Sequence, residues 1–123
     1  MPASESRIGL AGAAIDFLEE EAAKRPDRTE PTESLRAAWD AWRSDLLGAA
    51  CDEPVCSNEN LRIRANSLAL RASQAALAAA NGTGYVVGHP AGRWCREALF
   101  FLVWSCPQPV MAANLCELAG IAD

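Results

Sequence analysis

Residue types that could carry out catalysis are few in this chain, and their spacing does not favour such a role. His89 is the only histidine, and it stands between Gly88 and Pro90 with no carboxylate near it in the sequence. Because a general base needs a partner within hydrogen-bond reach, His89 is predicted to be a capping or turn residue at the start of a helix. The pattern predicts no catalytic residue.

The cysteines and the acidic residues also lack the spacing of a metal site. The chain contains five cysteines, Cys51, Cys56, Cys95, Cys106 and Cys116. They include no CxxC pair, whereas a zinc site usually needs four closely paired ligands. We therefore expect structural thiols and no metal. The cluster Glu19, Glu20 and Glu21 is predicted to be a solvated helix face, because a di-iron bundle would also need Glu-x-x-His motifs.

The distribution of charge limits the partners that the chain can have. Residues 1–60 contain 13 acidic and 6 basic residues, whereas residues 61–123 contain 3 and 5. An acidic chain without a basic cluster is not expected to bind nucleic acid. The asymmetry could reflect solvated helix faces, attraction between the two halves, or a charged partner. No signal peptide and no apolar run of membrane-spanning length is present, so we expect a cytoplasmic protein that does not bind membranes.

Apolar residues recur at helical spacing over most of the length, and no segment alternates as a strand would. Helices are predicted over residues 6–25, from Thr32 to about 48–51, over residues 58–80, from Pro90 to about Ser105, and over residues 109–119. The predicted fold is all-α, a single domain forming an up-and-down four-helix bundle with a short fifth C-terminal helix. Asn81-Gly82 is the predicted stop of the third helix.

The second half of the fourth predicted helix is apolar on all sides, from Leu99 to Trp104. Such a helix is either central in the bundle or covered by another chain. We therefore expect a homo- or hetero-oligomer that forms through the helix around Leu99 and Trp104. The alanines of the third and fourth helices could alternatively leave room for a small apolar ligand.

Five short motifs follow one another along the chain. They are Gly9-Leu10-Ala11, Ala14-Ile15-Asp16, Gly82-Thr83-Gly84-Tyr85, His89-Pro90 with Arg93, and Arg96-Glu97-Ala98. In the order and spacing of these motifs, nearly the whole chain resembles the C-terminal helical domain of acyl-CoA dehydrogenases. The resemblance implies that Gly82, Gly84 and Tyr85 face FAD. It also implies that Arg25 matches an arginine that meets the flavin diphosphate of a neighbouring subunit.

The chain also departs from that family in ways that bear on function. The family has an N-terminal helical domain and a middle β domain, which are absent here. Trp104-Ser105 stand where many members have a tyrosine and the catalytic glutamate, and a serine cannot abstract a proton as a carboxylate does. Two hypotheses follow. The chain is either the helical subunit of a split flavin-dependent dehydrogenase, with FAD and the acyl group bound together with a separate chain, or a non-enzymatic helical oligomerisation or scaffold module.

Overall fold

The structure, a computed structural model, describes residues 3–51, 56–103 and 107–121, with the side chains of these ranges apart from residues 3–8, 82 and 85. The described residues form five α-helices and no strand, which confirms the predicted all-α fold. The α-helices are α1 (Ala3–Lys24), α2 (Thr29–Ala50), α3 (Asn58–Ala80), α4 (Pro90–Phe100) and α5 (Gln108–Leu118). Two short 3-10 turns, Pro26–Arg28 and Asn81–Tyr85, precede α2 and follow α3. None of the described helices has the length and apolar content needed to cross a membrane.

Helix α3 is the centre of the bundle, and the other four helices all pack against it. Its most extensive contact is with α1, and its second is with α4. Small side chains allow this close approach, because ten of its residues are buried and five of the ten are alanine. The buried residues of α3 are Leu61, Ala65, Asn66, Leu68, Ala69, Leu70, Ala72, Ser73, Ala76 and Ala79.

Helices α2 and α3 run antiparallel, and two hydrogen bonds connect their opposite ends. The side chain of Arg28, just before α2, donates from Nη1 to the carbonyl oxygen of Ala79 at 2.8 Å. At the other end, Trp42 is fully buried and donates from Nε1 to the carbonyl oxygen of Leu61 at 2.7 Å. A buried indole N–H needs such a partner, so the bond fixes where α2 lies along α3.

Local signals set the ends of α3 as the sequence predicts. Ser57 caps the N-terminus, because its hydroxyl accepts a hydrogen bond from the backbone N–H of Asn60 at 3.0 Å. At the other end Asn81 has φ 55° and ψ −142°, a backbone conformation outside the helical region that ends the helix. The predicted bounds of α3 are confirmed, and α5 lies within one residue of its prediction.

Two predicted helix starts are wrong. Helix α1 begins at Ala3 rather than near residue 6, since neither proline nor glycine interrupts residues 3–8. Helix α2 begins at Thr29 rather than after Thr32, whose hydroxyl donates to the carbonyl oxygen of Arg28 at 2.8 Å inside the helix. Pro31 does not break α2, because the backbone N–H groups of a first helical turn have no acceptor within the helix.

The predicted end of the fourth helix is also wrong. Helix α4 ends at Phe100, not near Ser105. The backbone N–H groups of Phe101, Leu102 and Val103 bond to carbonyls three positions back, so the chain tightens into turns there. Trp104, Ser105 and Cys106 lie outside the described residues.

Candidate functional site

The residues predicted to face FAD lie at one end of the bundle. Arg25 is exposed and extended, with φ −136° and ψ 94°, as a residue before proline is expected to be. Gly82, Gly84 and Tyr85 lie in the 3-10 turn after α3. The bond from Arg28 to Ala79 connects the turn that follows Arg25 with the last turn of α3, so both predicted segments share this end.

Close packing or backbone conformation requires glycine at three positions of this end of the bundle, Gly84, Gly88 and Gly92. A Cβ atom on Gly84 would lie 2.7 Å from Leu77 Cδ1, and one on Gly92 would lie 3.0 Å from the carbonyl oxygen of Gly84. The turn therefore packs directly onto the first turn of α4, with no room for a side chain between them. Gly88 has φ +96°, which other residues rarely adopt.

A cavity of about 500 Å³ opens beside Gly84, at the end of the interface between α3 and α4. Its walls are mainly apolar or glycine, and its polar groups are one guanidinium, one imidazole and one thiol. A cavity of this size with few polar groups is the usual form of a small-ligand site. The lining residues are Leu77, Gly84, Val86, Val87, Gly88, His89, Gly92, Cys95 and Arg96.

His89 caps α4, which confirms its predicted role. Its Nδ1 accepts a hydrogen bond from the backbone N–H of Ala91 at 3.1 Å. The ring of Phe17 packs edge-on against it, with ring centroids 5.7 Å apart. His89 therefore connects the start of α4 to α1.

Cys95 is a hydrogen-bond donor rather than a nucleophile. Its thiol donates to the carbonyl oxygen of Ser73 at 3.3 Å, across the interface between α4 and α3. Burial raises the pKa of the Cys95 thiol above its ordinary value, so it stays protonated at neutral pH. Four cysteines of the described part of the chain are free thiols. Within that part, no three His, Cys, Asp or Glu side chains group closely enough to hold a metal ion.

Arg64, Ser67 and Arg71 lie three and four positions apart on α3, and two of them contact other helices. Arg64 forms an ion pair with Asp45 of α2 at 2.5 Å. The Ser67 hydroxyl donates to Glu117 of α5 at 2.6 Å and accepts from Arg71 at 3.0 Å. A second cavity of about 500 Å³ lies along this face. The spacing of Arg64, Ser67 and Arg71 indicates that they share one face of α3. Only the folded structure identifies the residues of α2 and α5 that they bind.

Arg36 ties the acidic face of α1 to α2, a contact that the sequence analysis missed. Its guanidinium bonds to Glu19 at 2.7 Å and to Asp16 at 2.6 Å. The hydrogen bond to Glu19 contributes most to raising the pKa of Arg36. The group also lies 5.2 Å from the ring centroid of Trp39. Glu19 is therefore paired rather than only solvated.

The end of α4 exposes the apolar side chains that the sequence predicted as an interface. Leu99 and Phe100 are each more than half exposed, and Val103 is 78% exposed. Phe101, in contrast, points inward and joins the core. An exposed group of large apolar side chains marks an interaction surface more often than a solvated one.

Comparison with protein-family models, with curated proteins and with solved structures found no match to this chain.

Proposed function

We propose that this chain is the helical subunit of a flavin-dependent dehydrogenase-like assembly, in which FAD is bound together with a separate chain. In this proposal Arg25, Gly82, Gly84 and Tyr85 face the cofactor. Catalysis belongs to the partner chain. The assembly is cytoplasmic, in keeping with the free thiols of the described residues.

The proposal rests on one observation: Arg25 and the turn that contains Gly82, Gly84 and Tyr85 lie at the same end of the bundle. They are far apart in sequence, yet the bond from Arg28 to Ala79 holds their turns at one end of the bundle. Arg25 is exposed there and can reach an anionic group outside the chain. The cavity beside Gly84 opens at the same turn.

The exposed apolar side chains at the end of α4 support the proposal that a second chain binds there. Leu99, Phe100 and Val103 face solvent in the single chain, and burial of large apolar side chains is the main source of association free energy. We propose that the partner covers this surface, from Leu99 at the end of α4 to Val103 in the turns that follow it. The partner would also supply the proton acceptor that the described residues do not provide.

The test is complementation with a defined chain. The purified protein is mixed with FAD and an acyl-CoA dehydrogenase truncated to its N-terminal helical and middle β domains, and the complex is isolated by gel filtration. We expect flavin absorbance to co-elute with both chains. Arg25→Gln should lower the bound flavin several-fold, whereas Arg43→Gln, exposed on α2, should not. A protein peak that carries no flavin absorbance after gel filtration of a mixture at saturating FAD refutes the proposal.

A second candidate function is a non-enzymatic module that self-associates or scaffolds another protein through the same end of α4. The exposure of Leu99 and Phe100 favours it, because it needs no cofactor. Light scattering and pull-down test it. A monodisperse monomer that captures no partner would refute it.

A further inference from the structure

The cavity beside Gly84 has a rim that the single chain already holds in place. The rim is the turn from Val86 to His89, in which the backbone N–H of His89 donates to the carbonyl oxygen of Val86 at 3.0 Å. Gly88 is the third residue of this turn, and its φ of +96° suits a turn whose third residue needs a positive φ. A ligand therefore does not have to order the rim in order to bind.

Most of the cavity lining is apolar, and part of it faces solvent. Val86 is 61% exposed and Val87 is fully exposed, although both line the cavity. Leu77 of α3 adds a third aliphatic side chain to the lining. An apolar group bound here would cover these side chains, and the removal of apolar surface from water would favour its binding.

Two of the three polar side chains that line the cavity already bond to the backbone. His89 accepts from the N–H of Ala91, and the Cys95 thiol donates to the carbonyl oxygen of Ser73. The third is Arg96, which is exposed and forms no hydrogen bond or ion pair with any residue that the structure describes. Its guanidinium N–H groups can therefore donate to a ligand.

The guanidinium of Arg96 lies back along α4, towards the start of the helix. Its Nη1 is 3.5 Å from the position that a Cβ atom would take on Gly92, which also lines the cavity. Arg93 of the same helix is instead paired with Glu97, at 3.5 Å. Among the described residues no acidic side chain lines the cavity, so its lining carries an uncompensated positive charge. A guanidinium beside an apolar wall matches a carboxylate attached to an apolar group.

The second cavity, along α3, does not offer such a cation. Its charged residues already bond to other side chains of the protein. Arg64 is paired with Asp45, while Arg71 donates to the Ser67 hydroxyl and Glu117 accepts from it. The unbonded guanidinium thus distinguishes the cavity beside Gly84 from the other cavity of the same size.

We propose that the cavity beside Gly84 binds a small carboxylate with an apolar body. The body lies against Leu77, Val86 and Val87, and the carboxylate accepts hydrogen bonds from Arg96. The proposal rests neither on flavin binding nor on a partner chain, so it can hold even if the proposed dehydrogenase-like assembly does not form.

Isothermal titration calorimetry of the full chain, without FAD or a second chain, tests the proposal with naphthoate as the probe. Naphthalenemethanol lacks the charge and acetate lacks the apolar body, so these two compounds are the chemical controls. We expect naphthoate to bind about ten-fold more tightly than either control, because only naphthoate combines the charge-assisted hydrogen bond with the buried apolar body.

Arg96→Gln should weaken the binding of naphthoate roughly ten-fold and leave that of naphthalenemethanol unchanged. The matched control is Arg93→Gln, which removes an exposed arginine of the same helix and should change neither affinity. Circular dichroism verifies that both variants are folded. In amide NMR spectra, naphthoate should shift the signals of Gly84, Gly88 and Gly92.

Four results would overturn the proposal. The first is no binding of naphthoate to the wild-type chain, and the second is equal affinity for naphthoate and naphthalenemethanol, which would indicate a neutral ligand. The third is equal weakening by Arg93→Gln, which would attribute the effect to the overall charge of the chain. The fourth is a set of NMR shifts that leaves the three glycines unchanged and so places the probe elsewhere.

Discussion

Asn66 offers a sharp test of the packing, because its side chain is buried in α3 with no polar partner among the described residues. It is 1% exposed, and neither Oδ1 nor Nδ2 has a hydrogen bond among the described residues. Each unsatisfied buried group costs about 1–3 kcal/mol. Leucine has the same branching, no polar atoms and a better helix propensity. We expect Asn66→Leu to stabilise the fold by about 2 kcal/mol, after allowing for the larger methyl groups.

The assay is thermal and urea unfolding followed by circular dichroism at a low protein concentration, which keeps association out of the measurement. For a chain of this length, the expected gain raises Tm by roughly 8 °C. The control Asn60→Leu lies on the exposed face of α3 and should change stability by less than about 0.5 kcal/mol. If Asn66→Leu destabilises the fold while the control is neutral, the amide is satisfied, for example by an internal water, and the reasoning is refuted.

Two other predictions concern the core and the thiols. Ala72→Trp should destabilise the fold by about 1–3 kcal/mol through overpacking, because Ala72 is buried. The control Ala78→Trp, on the exposed face of α3, should not destabilise it. Equal melting temperatures for the two variants would contradict a central α3. In the native protein, iodoacetamide should modify exposed Cys51 several-fold faster than Cys95, because burial raises the pKa of the Cys95 thiol. Peptide mass spectrometry follows the two modification rates. Equal rates in the native protein would contradict the burial of the Cys95 thiol.

Elements that depend on local signals were predictable from the sequence. Ser57 and Asn81 set the ends of α3, and His89 with Pro90 sets the start of α4, because a cap involves only residues a few positions apart. The start of α2 was missed because Pro31 looks like a break, although a proline is tolerated in a first helical turn.

Features that depend on several helices at once were not predictable. The periodicity of α3 indicates one buried stripe, but Asn66 and Ser73, which lie off that stripe, are buried as well. Four helices pack against α3, so more than one of its sides is covered. The partners of Arg64 and Ser67 could not be identified, because acidic residues on two other helices were equally plausible. The glycine turn was correctly located, but the packing of Gly84 and Gly92 explains its composition without reference to a cofactor. Its role towards FAD stays a prediction.

The central claim is that α3 is the axis of the fold, against which the other four described α-helices pack. Amide hydrogen exchange, followed by mass spectrometry, tests this claim directly. We predict that the amides of α3 exchange more slowly than those of the other helices. The amides of α5, which among the described helices packs against α3 alone, should exchange faster than those of α3. Protection of α5 equal to that of α3 would contradict the claim.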